Sequence, residues 1–158
     1  KPSKIYQEVQ SLLKERAKLT AKVEMPVELI NYEGKGRVLL VEDEPLSQKY
    51  CQILLQGRGY HLDVAATGQS ALDLVAKQRY ESILMDVGLP DASGIDITRA
   101  IRSSDNLNRD VPIIALTAHI DGANQQACLE AGMTAFLNKP FSPDKLCEIL
   151  RQVAILLR

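Results

Sequence analysis

Strand and helix patterns alternate five times between Arg37 and the end of this 158-residue chain, and that alternation restricts its fold more than any other feature. Each strand is predicted from a short, mostly apolar run that stops at turn or charged residues. The predicted strands are Arg37–Val41, His61–Ala65, 82–85, 112–116 and 135–138. The second run is more polar than the others, which suits a strand at the edge of a sheet.

Helical spacing of apolar residues marks the segments that follow the strands. The first helix is predicted from an apolar face that consists of Leu46, Tyr50, Ile53 and Leu54 and closes at Gly57. Three more are predicted around residues 71–75, 95–101 and 121–131. The last helix is the clearest, because Ser142 can cap it and Pro143 suits its first turn. Its predicted buried stripe is Leu146, Ile149, Leu150, Val153 and Leu157.

This order of elements predicts an α/β fold. Parallel neighbouring strands need a crossover that is long enough to hold a helix, and apolar strands need cover on both faces of the sheet. Right-handed crossovers then predict a flavodoxin-like (βα)5 three-layer sandwich with strand order 2-1-3-4-5.

A helical extension is predicted before this domain. Residues 5–23 have broken apolar spacing, with Arg16 at an expected apolar position, and Met25-Pro26 ends the pattern. We therefore divide the chain into an N-terminal helix at 1–25, a linker at 26–36 and the main domain at 37–158. The helix is interpreted either as a signalling helix or dimer contact, or as a linker helix left from an upstream domain.

Composition and charge exclude several classes of protein. A hydrophobic share of 46% and a charged share of 25% describe an ordinary globular domain. The net charge of -1, without a basic block, argues against a nucleic-acid partner. No apolar run is long enough to span a membrane, so no membrane contact is expected for this segment. Cys51, Cys128 and Cys147 have no metal-binding spacing and are expected to be buried thiols in a reducing, cytoplasmic compartment.

Polar side chains follow four of the predicted strands. Glu42 and Asp43 come after the first strand, Asp86 after the third, Thr117 after the fourth and Lys139 after the fifth. Taken singly, each has an ordinary explanation as a turn former, a helix cap or a surface charge. Because parallel strands end at one edge of the sheet, we expect these side chains to lie close together, where α/β proteins bind ligands.

Three carboxylates at one point require a counter-charge. Glu42, Asp43 and Asp86 would repel one another unless a cation lies among them. Hard oxygen ligands of this kind suit Mg²⁺, and Mn²⁺ is expected to substitute for it.

Together the acid pair, the third acid, the hydroxyl and the Lys-Pro pair resemble the receiver domain of two-component response regulators. The resemblance covers almost all of 37–158. It implies that Asp86 is the phosphoacceptor and that Lys139 and Thr117 act with it, while Thr117 and Phe136 form a conformational switch. The implied metal ligands are Asp43, Asp86 and the backbone carbonyl of Gly88, with Glu42 acting directly or through water. Residues expected to border the site are Val87, Ala118, His119 and Pro140.

The resemblance also implies partners and a parent protein. The residues around Asp86 and Thr117 look most like receivers attached to hybrid sensor histidine kinases, whose parent chain can be anchored in a membrane. The expected partners are a histidine kinase domain, in cis or in trans, and a His-containing phosphotransfer protein, and the N-terminal helix is a candidate oligomer contact. Such a domain would catalyse its own phosphorylation and dephosphorylation.

Three other interpretations remain open at this point. One is a stand-alone or truncated response regulator. The second is a receiver-like module that binds partners without being phosphorylated, against which the intact set of Asp86, Thr117 and Lys139 argues. The third is a small Mg²⁺-dependent phosphatase, against which Gly88 argues, because such enzymes carry a second carboxylate at that position.

Overall fold

The computed structural model describes residues 36–118 and 121–156. The predicted helix at 1–25, almost all of the linker at 26–36, His119 and Leu157 lie outside the described residues. The helical extension that forms part of the predicted fold therefore stays a prediction.

Five parallel strands form one sheet. They are β1 Arg37–Val41, β2 His61–Ala65, β3 Ser82–Asp86, β4 Ile113–Thr117 and β5 Ala135–Asn138. Their order is β2-β1-β3-β4-β5, and every neighbouring pair is parallel. The predicted flavodoxin-like α/β sandwich and its strand order are confirmed.

Helices follow each strand within the described residues. They are α1 Pro45–Gln56, α2 Gly68–Lys77, α3 Gly94–Ser103, α4 Gly122–Ala131 and α5 Pro143–Leu156. The first four begin after side chains that accept hydrogen bonds from their first turns, namely Glu44, Thr67, Ser93 and Asp121. Because each helix begins a few residues after the carboxyl end of a strand, the helix N-termini lie at the same edge of the sheet as the strand ends.

Alternate residues along each strand fill two separate cores. Leu39, Ile83 and Ala115 face the side that α2, α3 and α4 cover. Leu40, Leu84 and Ile114 face the side that α1 and α5 cover. Because both faces are covered, the strands can be apolar throughout, and the chain forms three layers.

The predicted apolar face of α1 is wrong for three of its four residues. Leu46, Tyr50 and Ile53 are 77%, 42% and 67% exposed, whereas Leu54 is buried with Cys51 and Leu55. Both sets of residues have helical spacing, so the sequence pattern did not distinguish the face that meets the sheet from the face that meets solvent. In α5 the predicted stripe is correct for Leu146, Leu150 and Val153, which are buried.

None of the helices within the described residues is both long and apolar enough to traverse a lipid bilayer.

Candidate functional site

Sheet register brings the predicted site residues to one edge. Val41 of β1 pairs with Met85 of β3, so Glu42 and Asp86 stand side by side as the next residue of each strand. Thr117 pairs with Asn138, and Lys139 follows directly. Each of these side chains leaves the carboxyl end of its strand, which is the edge of the sheet where α/β proteins place their ligand sites.

Three carboxylates form a tight cluster at this edge. Ligand oxygens of Glu42, Asp43 and Asp86 all lie within 4.8 Å of one another. Only 1% of the Glu42 side chain and 11% of the Asp86 side chain is exposed, whereas Asp43 is open to solvent. The cluster therefore combines two desolvated acids with one that faces the outside.

Lys139 supplies the positive charge that meets this cluster. Its Nζ lies 2.5 Å from Glu42 Oε1 and 3.6 Å from Asp86 Oδ2, and a quarter of the side chain is exposed. The ammonium group thus pairs mainly with Glu42 and reaches Asp86 at longer range. Among the described residues, this one ammonium group faces three carboxyl groups, so the cluster has more acids than it has cations to balance them.

Electrostatic effects on Glu42 and Lys139 follow from this geometry. Burial raises the pKa of the Glu42 carboxyl, and its contact with Asp86 raises it further, against the opposing effect of Lys139. Burial alone would lower the pKa of Lys139, but the hydrogen bond with Glu42 and the charge of Asp86 outweigh it, so that pKa is raised. Lys139 is therefore held in its charged form.

Backbone and side-chain donors orient the acids. The Gly88 N–H donates to Asp86 Oδ1 at 3.0 Å, and the Asp43 N–H donates to Glu42 Oε2 at 3.1 Å. In addition, Gln48 Nε2 donates to the Glu42 carbonyl at 2.6 Å. Sequence reasoning missed Gln48, because a glutamine in the first turns of a helix is not distinctive.

Gly94 allows the first turn of α3 to approach Asp86. A Cβ at this position would lie 2.3 Å from the Asp86 carbonyl oxygen and 2.9 Å from Val87 Cα. Real Cβ atoms do not come so close to backbone, so a side chain here would have to displace it. The sequence marks Gly94 only as a turn residue, and the close approach is visible only in the structure.

The predicted switch residues lie on one face of the sheet. Phe136 pairs with Ala115 and packs, half-buried, against the core covered by α2, α3 and α4. Thr117 is two residues beyond Ala115 in β4 and so points to the same face. The structure thus places Thr117 and Phe136 on the same face of the sheet, and their switching role stays a prediction.

The predicted bordering residues frame the site. Val87 donates its N–H to the Leu116 carbonyl at 3.1 Å, and the Lys139 N–H donates to the Thr117 carbonyl at 2.8 Å. The Lys139–Pro140 peptide bond is cis. Ala118 and Pro140 line the adjoining groove, whereas His119 lies outside the described residues.

An apolar groove adjoins the acid cluster. It encloses about 560 Å³ between the start of α1 and the segment after β5, and we call it the α1 groove. Leu46, Tyr50 and Phe141 line it beside Lys139. The Tyr50 hydroxyl donates to the Phe141 carbonyl at 3.1 Å, and the two rings lie 5.8 Å apart. An apolar partner surface placed in this groove would therefore lie directly beside the acids.

Comparison with known proteins points to one family. The model of the response regulator receiver domain family matches residues 38–151. Hybrid signal transduction histidine kinase I of Dictyostelium discoideum is 36% identical over an alignment of 120 residues, and the match covers 72% of this chain and 7% of that protein. The polar-differentiation response regulator DivK of Brucella anthropi is 33% identical over 114 residues, 72% of this chain and 92% of that protein. The chain therefore spans only a small part of the kinases that it resembles.

A solved structure gives the same relationship in three dimensions. The receiver domain of a sensor histidine kinase from Pseudomonas aeruginosa PAO1 is 41% identical, with a TM-score of 0.70, and the match covers 75% of this chain and 97% of that domain. That structure has a magnesium ion coordinated in its active site cleft.

Proposed function

This chain belongs to the response regulator receiver domain family, and on that basis we propose that Asp86 accepts a phosphoryl group from a phosphohistidine in a Mg²⁺-dependent phosphorelay. The observation that carries the proposal is the acid cluster itself. Two buried acids, Glu42 and Asp86, share one lysine at the carboxyl edge of the sheet, and Asp43 opens the cluster to solvent.

The donor set fits a hard divalent cation. Three carboxylates face one ammonium group, so a cation would relieve the remaining repulsion, and oxygen donors are those that Mg²⁺ prefers. Asp43, Asp86 and the Gly88 carbonyl would hold it, with Glu42 acting directly or through water. When bound, Mg²⁺ would neutralise negative charge on the phosphoryl oxygens during transfer. The magnesium-containing receiver from Pseudomonas aeruginosa supports this assignment.

The remaining chemistry falls to side chains of this chain. An Asp86 carboxylate oxygen attacks phosphorus in line, the P–N bond to the partner's imidazole breaks, and the electron pair of that bond stays on the imidazole nitrogen. The acyl phosphate carries about one more negative charge than the carboxylate that it replaces. Lys139, whose Nζ lies 3.6 Å from Asp86 Oδ2, can meet this added charge. Thr117 would donate its hydroxyl to the new phosphoryl group.

The α1 groove and the exposed residues beside it are the proposed docking surface for the phosphohistidine partner. Leu46, Tyr50 and Ile53 lie on the solvent side of α1, and the groove leads to Lys139. An apolar surface placed here would bring a partner's imidazole to the acid cluster. The proposed partner is the kinase domain of a hybrid histidine kinase or a His-containing phosphotransfer protein.

The relatives support two kinds of parent protein for this receiver domain. The match to the hybrid kinase of Dictyostelium discoideum, of which this chain spans 7%, supports a receiver that is part of a hybrid kinase. The match to DivK, which covers 92% of that protein, supports a stand-alone regulator instead. An immunoblot of the source cells separates the two, since only the first predicts a band far larger than the 17.5 kDa of this chain.

Intact mass after incubation with acetyl phosphate and Mg²⁺ tests the function. We expect one phosphoryl adduct on the wild type, no adduct on Asp86→Asn, and none in the presence of a chelator. Asp73→Asn is the matched control, because Asp73 is an exposed helix carboxylate that only accepts a hydrogen bond from Gln69. An adduct that persists in Asp86→Asn would refute the assignment. If the wild type forms no adduct and also fails to bind beryllofluoride, the phosphoacceptor function itself is refuted.

A further inference from the structure

The loop that follows Asp86 is held in place at three points. We define the β3–α3 loop as residues 87–93. Gly88 and Ser93 form an antiparallel bridge across it, and Leu89 is buried in the core. The third point is Asp91, whose carboxylate reaches out of the loop to another helix.

Asp91 caps α2 from outside that helix. Its Oδ1 accepts from the Gly68 N–H at 2.9 Å, and its Oδ2 accepts from the Gln69 N–H at 3.3 Å. Thr67, the residue before the helix, accepts from the third N–H, that of Ser70, at 3.1 Å. The first three donors of α2 are therefore divided between a local cap and one supplied by the β3–α3 loop. The bonds from Gly68 and Gln69 lower the pKa of Asp91, so it bonds as a carboxylate at neutral pH.

Packing brings α2 and the loop together at the same place. A Cβ on Gly68 would lie 2.6 Å from Ile97 Cδ1 and 3.4 Å from Ala92 Cβ. The first turn of α2 therefore lies directly against the end of the β3–α3 loop and the start of α3. The Asp91 bonds connect two segments that are already in contact.

Gly88 depends on its neighbours in the loop for its position. It is exposed, has no side chain, and even an added Cβ would meet nothing within 4 Å. Its N–H nevertheless donates to Asp86 Oδ1 at 3.0 Å, and its carbonyl is a proposed Mg²⁺ ligand. Something other than its own packing must hold it there.

We propose that Asp91 is a positioning residue of the acid site, which fixes the β3–α3 loop to α2 and thereby holds the Gly88 N–H and carbonyl in place. Only two residues separate Gly88 from Asp91, so a loop that is released at Asp91 can move at Gly88. The part of this proposal that concerns metal binding rests on the proposed function. The part that concerns Gly88 does not.

Asp91→Ala and Thr67→Ala test the proposal as a pair. Both remove a cap from the first turn of α2, so both should weaken that helix to a similar degree. Only Asp91→Ala also releases the loop. Asp91→Asn, which keeps one acceptor oxygen, should fall between Asp91→Ala and the wild type.

The first readout is hydrogen exchange of the Gly88 amide, measured by NMR on the full chain without metal. We expect exchange at Gly88 to accelerate about fivefold or more in Asp91→Ala and to change little in Thr67→Ala. Equal effects in the two variants would show that Asp91 only stabilises α2 and would overturn the proposal.

The second readout is Mg²⁺ affinity, followed through amide shifts during titration. We expect Asp91→Ala to bind roughly three- to tenfold more weakly than the wild type, as for loss of a residue that orients metal ligands, and Thr67→Ala to bind like the wild type. If the wild type and Asp91→Ala bind Mg²⁺ equally well, the metal part of the inference is overturned and the proposed function stays intact. A wild type that binds no Mg²⁺ would overturn both the metal part and the proposed function, and Gly88 exchange would still decide the positioning role.

Discussion

At the scale of single residues, the acid site depends on the balance between Glu42 and Lys139. Glu42 is almost completely removed from solvent and lies beside a second buried carboxylate. Its charged form is tolerated because Lys139 donates to it at 2.5 Å. A buried pair of this kind need not stabilise a protein compared with apolar residues, but removing one member leaves an uncompensated charge.

Lys139→Met should therefore destabilise the protein. We expect the free energy of unfolding at pH 7 to fall by about 1–3 kcal/mol, because Glu42 and Asp86 lose their cation while remaining buried. Urea unfolding measures this change. Lys145→Met, at an exposed position in α5, is the control and should change stability by less than about 0.5 kcal/mol.

The pH dependence of that difference has a definite sign. The folded pKa of Lys139 is raised above its usual 10.5, so the stability it contributes is fully present below pH 10.5 and is lost as pH rises through the folded value. The difference in free energy of unfolding between the wild type and Lys139→Met should therefore be retained from pH 7 to about pH 10. It should narrow in acid, because the raised pKa of Glu42 lets that carboxyl take up a proton and lose its need for a cation. A gap that widened in acid would contradict this account of the pair.

Cys51 should be an unreactive thiol in the folded protein. It is 1% exposed, and burial raises its pKa to about 11. Only the thiolate reacts, so at pH 8 roughly one molecule in a thousand would carry the reactive form even if the reagent had access. We expect iodoacetamide to modify half-buried Cys147 first and Cys51 only in denaturant, as read by peptide mass. Rapid labelling of Cys51 in the native protein would show that the α1 groove opens far enough for the reagent to reach this thiol.

At the scale of elements, the helix N-termini are not equivalent. Gly94 and Gly122 are each the first residue of a helix, α3 and α4 respectively. An added Cβ at Gly94 would meet the Asp86 backbone, whereas one at Gly122 would meet nothing within 4 Å. The two positions therefore form a matched pair for testing how closely α3 must approach Asp86.

Gly94→Ala should damage both stability and the site. Relief of the clash requires backbone movement at Asp86 and Val87, and overpacking of this kind costs about 1–3 kcal/mol. We also expect phosphorylation by acetyl phosphate to slow, since Asp86 itself would shift. Gly122→Ala should be neutral or more stable by about 0.5 kcal/mol, because alanine reduces the freedom of the unfolded chain. Similar melting temperatures for the two variants would contradict the close approach at Gly94.

At the scale of the whole molecule, the three-layer arrangement leaves one helix face without apolar cover among the described residues. The inner side of α1 packs on the sheet through Cys51, Leu54 and Leu55. Leu46 and Ile53 remain exposed on its outer side, and Leu46 lines the α1 groove next to the acid cluster. Under the proposed function this face of α1 binds the phosphohistidine partner, whereas phosphoryl transfer itself needs only the acid cluster.

Leu46→Lys combined with Ile53→Lys should separate docking from chemistry. Both side chains are exposed, so we expect stability to change by no more than about 0.5 kcal/mol for each substitution. Phosphorylation by acetyl phosphate should be unchanged, while transfer from a phosphorylated His-containing partner should slow about tenfold or more, as expected when central apolar contacts are lost. Leu129→Lys, on α4 at the other face of the sheet, is the control and should leave both rates unchanged. Equal slowing of both reactions would place Leu46 and Ile53 in the site instead of in a docking surface.

Much of this molecule was predictable from local patterns. Strand and helix positions follow from the period of the apolar residues, and this period is a property of neighbouring residues alone. The strand order 2-1-3-4-5 followed from general rules on crossovers, and the register of β1 and β3 bears out the expected meeting of Glu42 and Asp86. Placing Thr117 and Lys139 at the same edge needed no more than the knowledge that parallel strands end together.

Other features were decided only by the tertiary structure, because they depend on how helices and strands pack against one another. The face of α1 that meets the sheet was ambiguous, because Leu46, Tyr50 and Ile53 have the same helical spacing as the buried set. The pairing of Lys139 with Glu42 more closely than with Asp86, and the reach of Asp91 to α2, are contacts between distant parts of the chain. No local pattern encodes such distances, since they arise from the sum of packing in two cores. The sequence by itself therefore determined which groups meet at the sheet edge, and the packing of the helices on that sheet determined which of them touch.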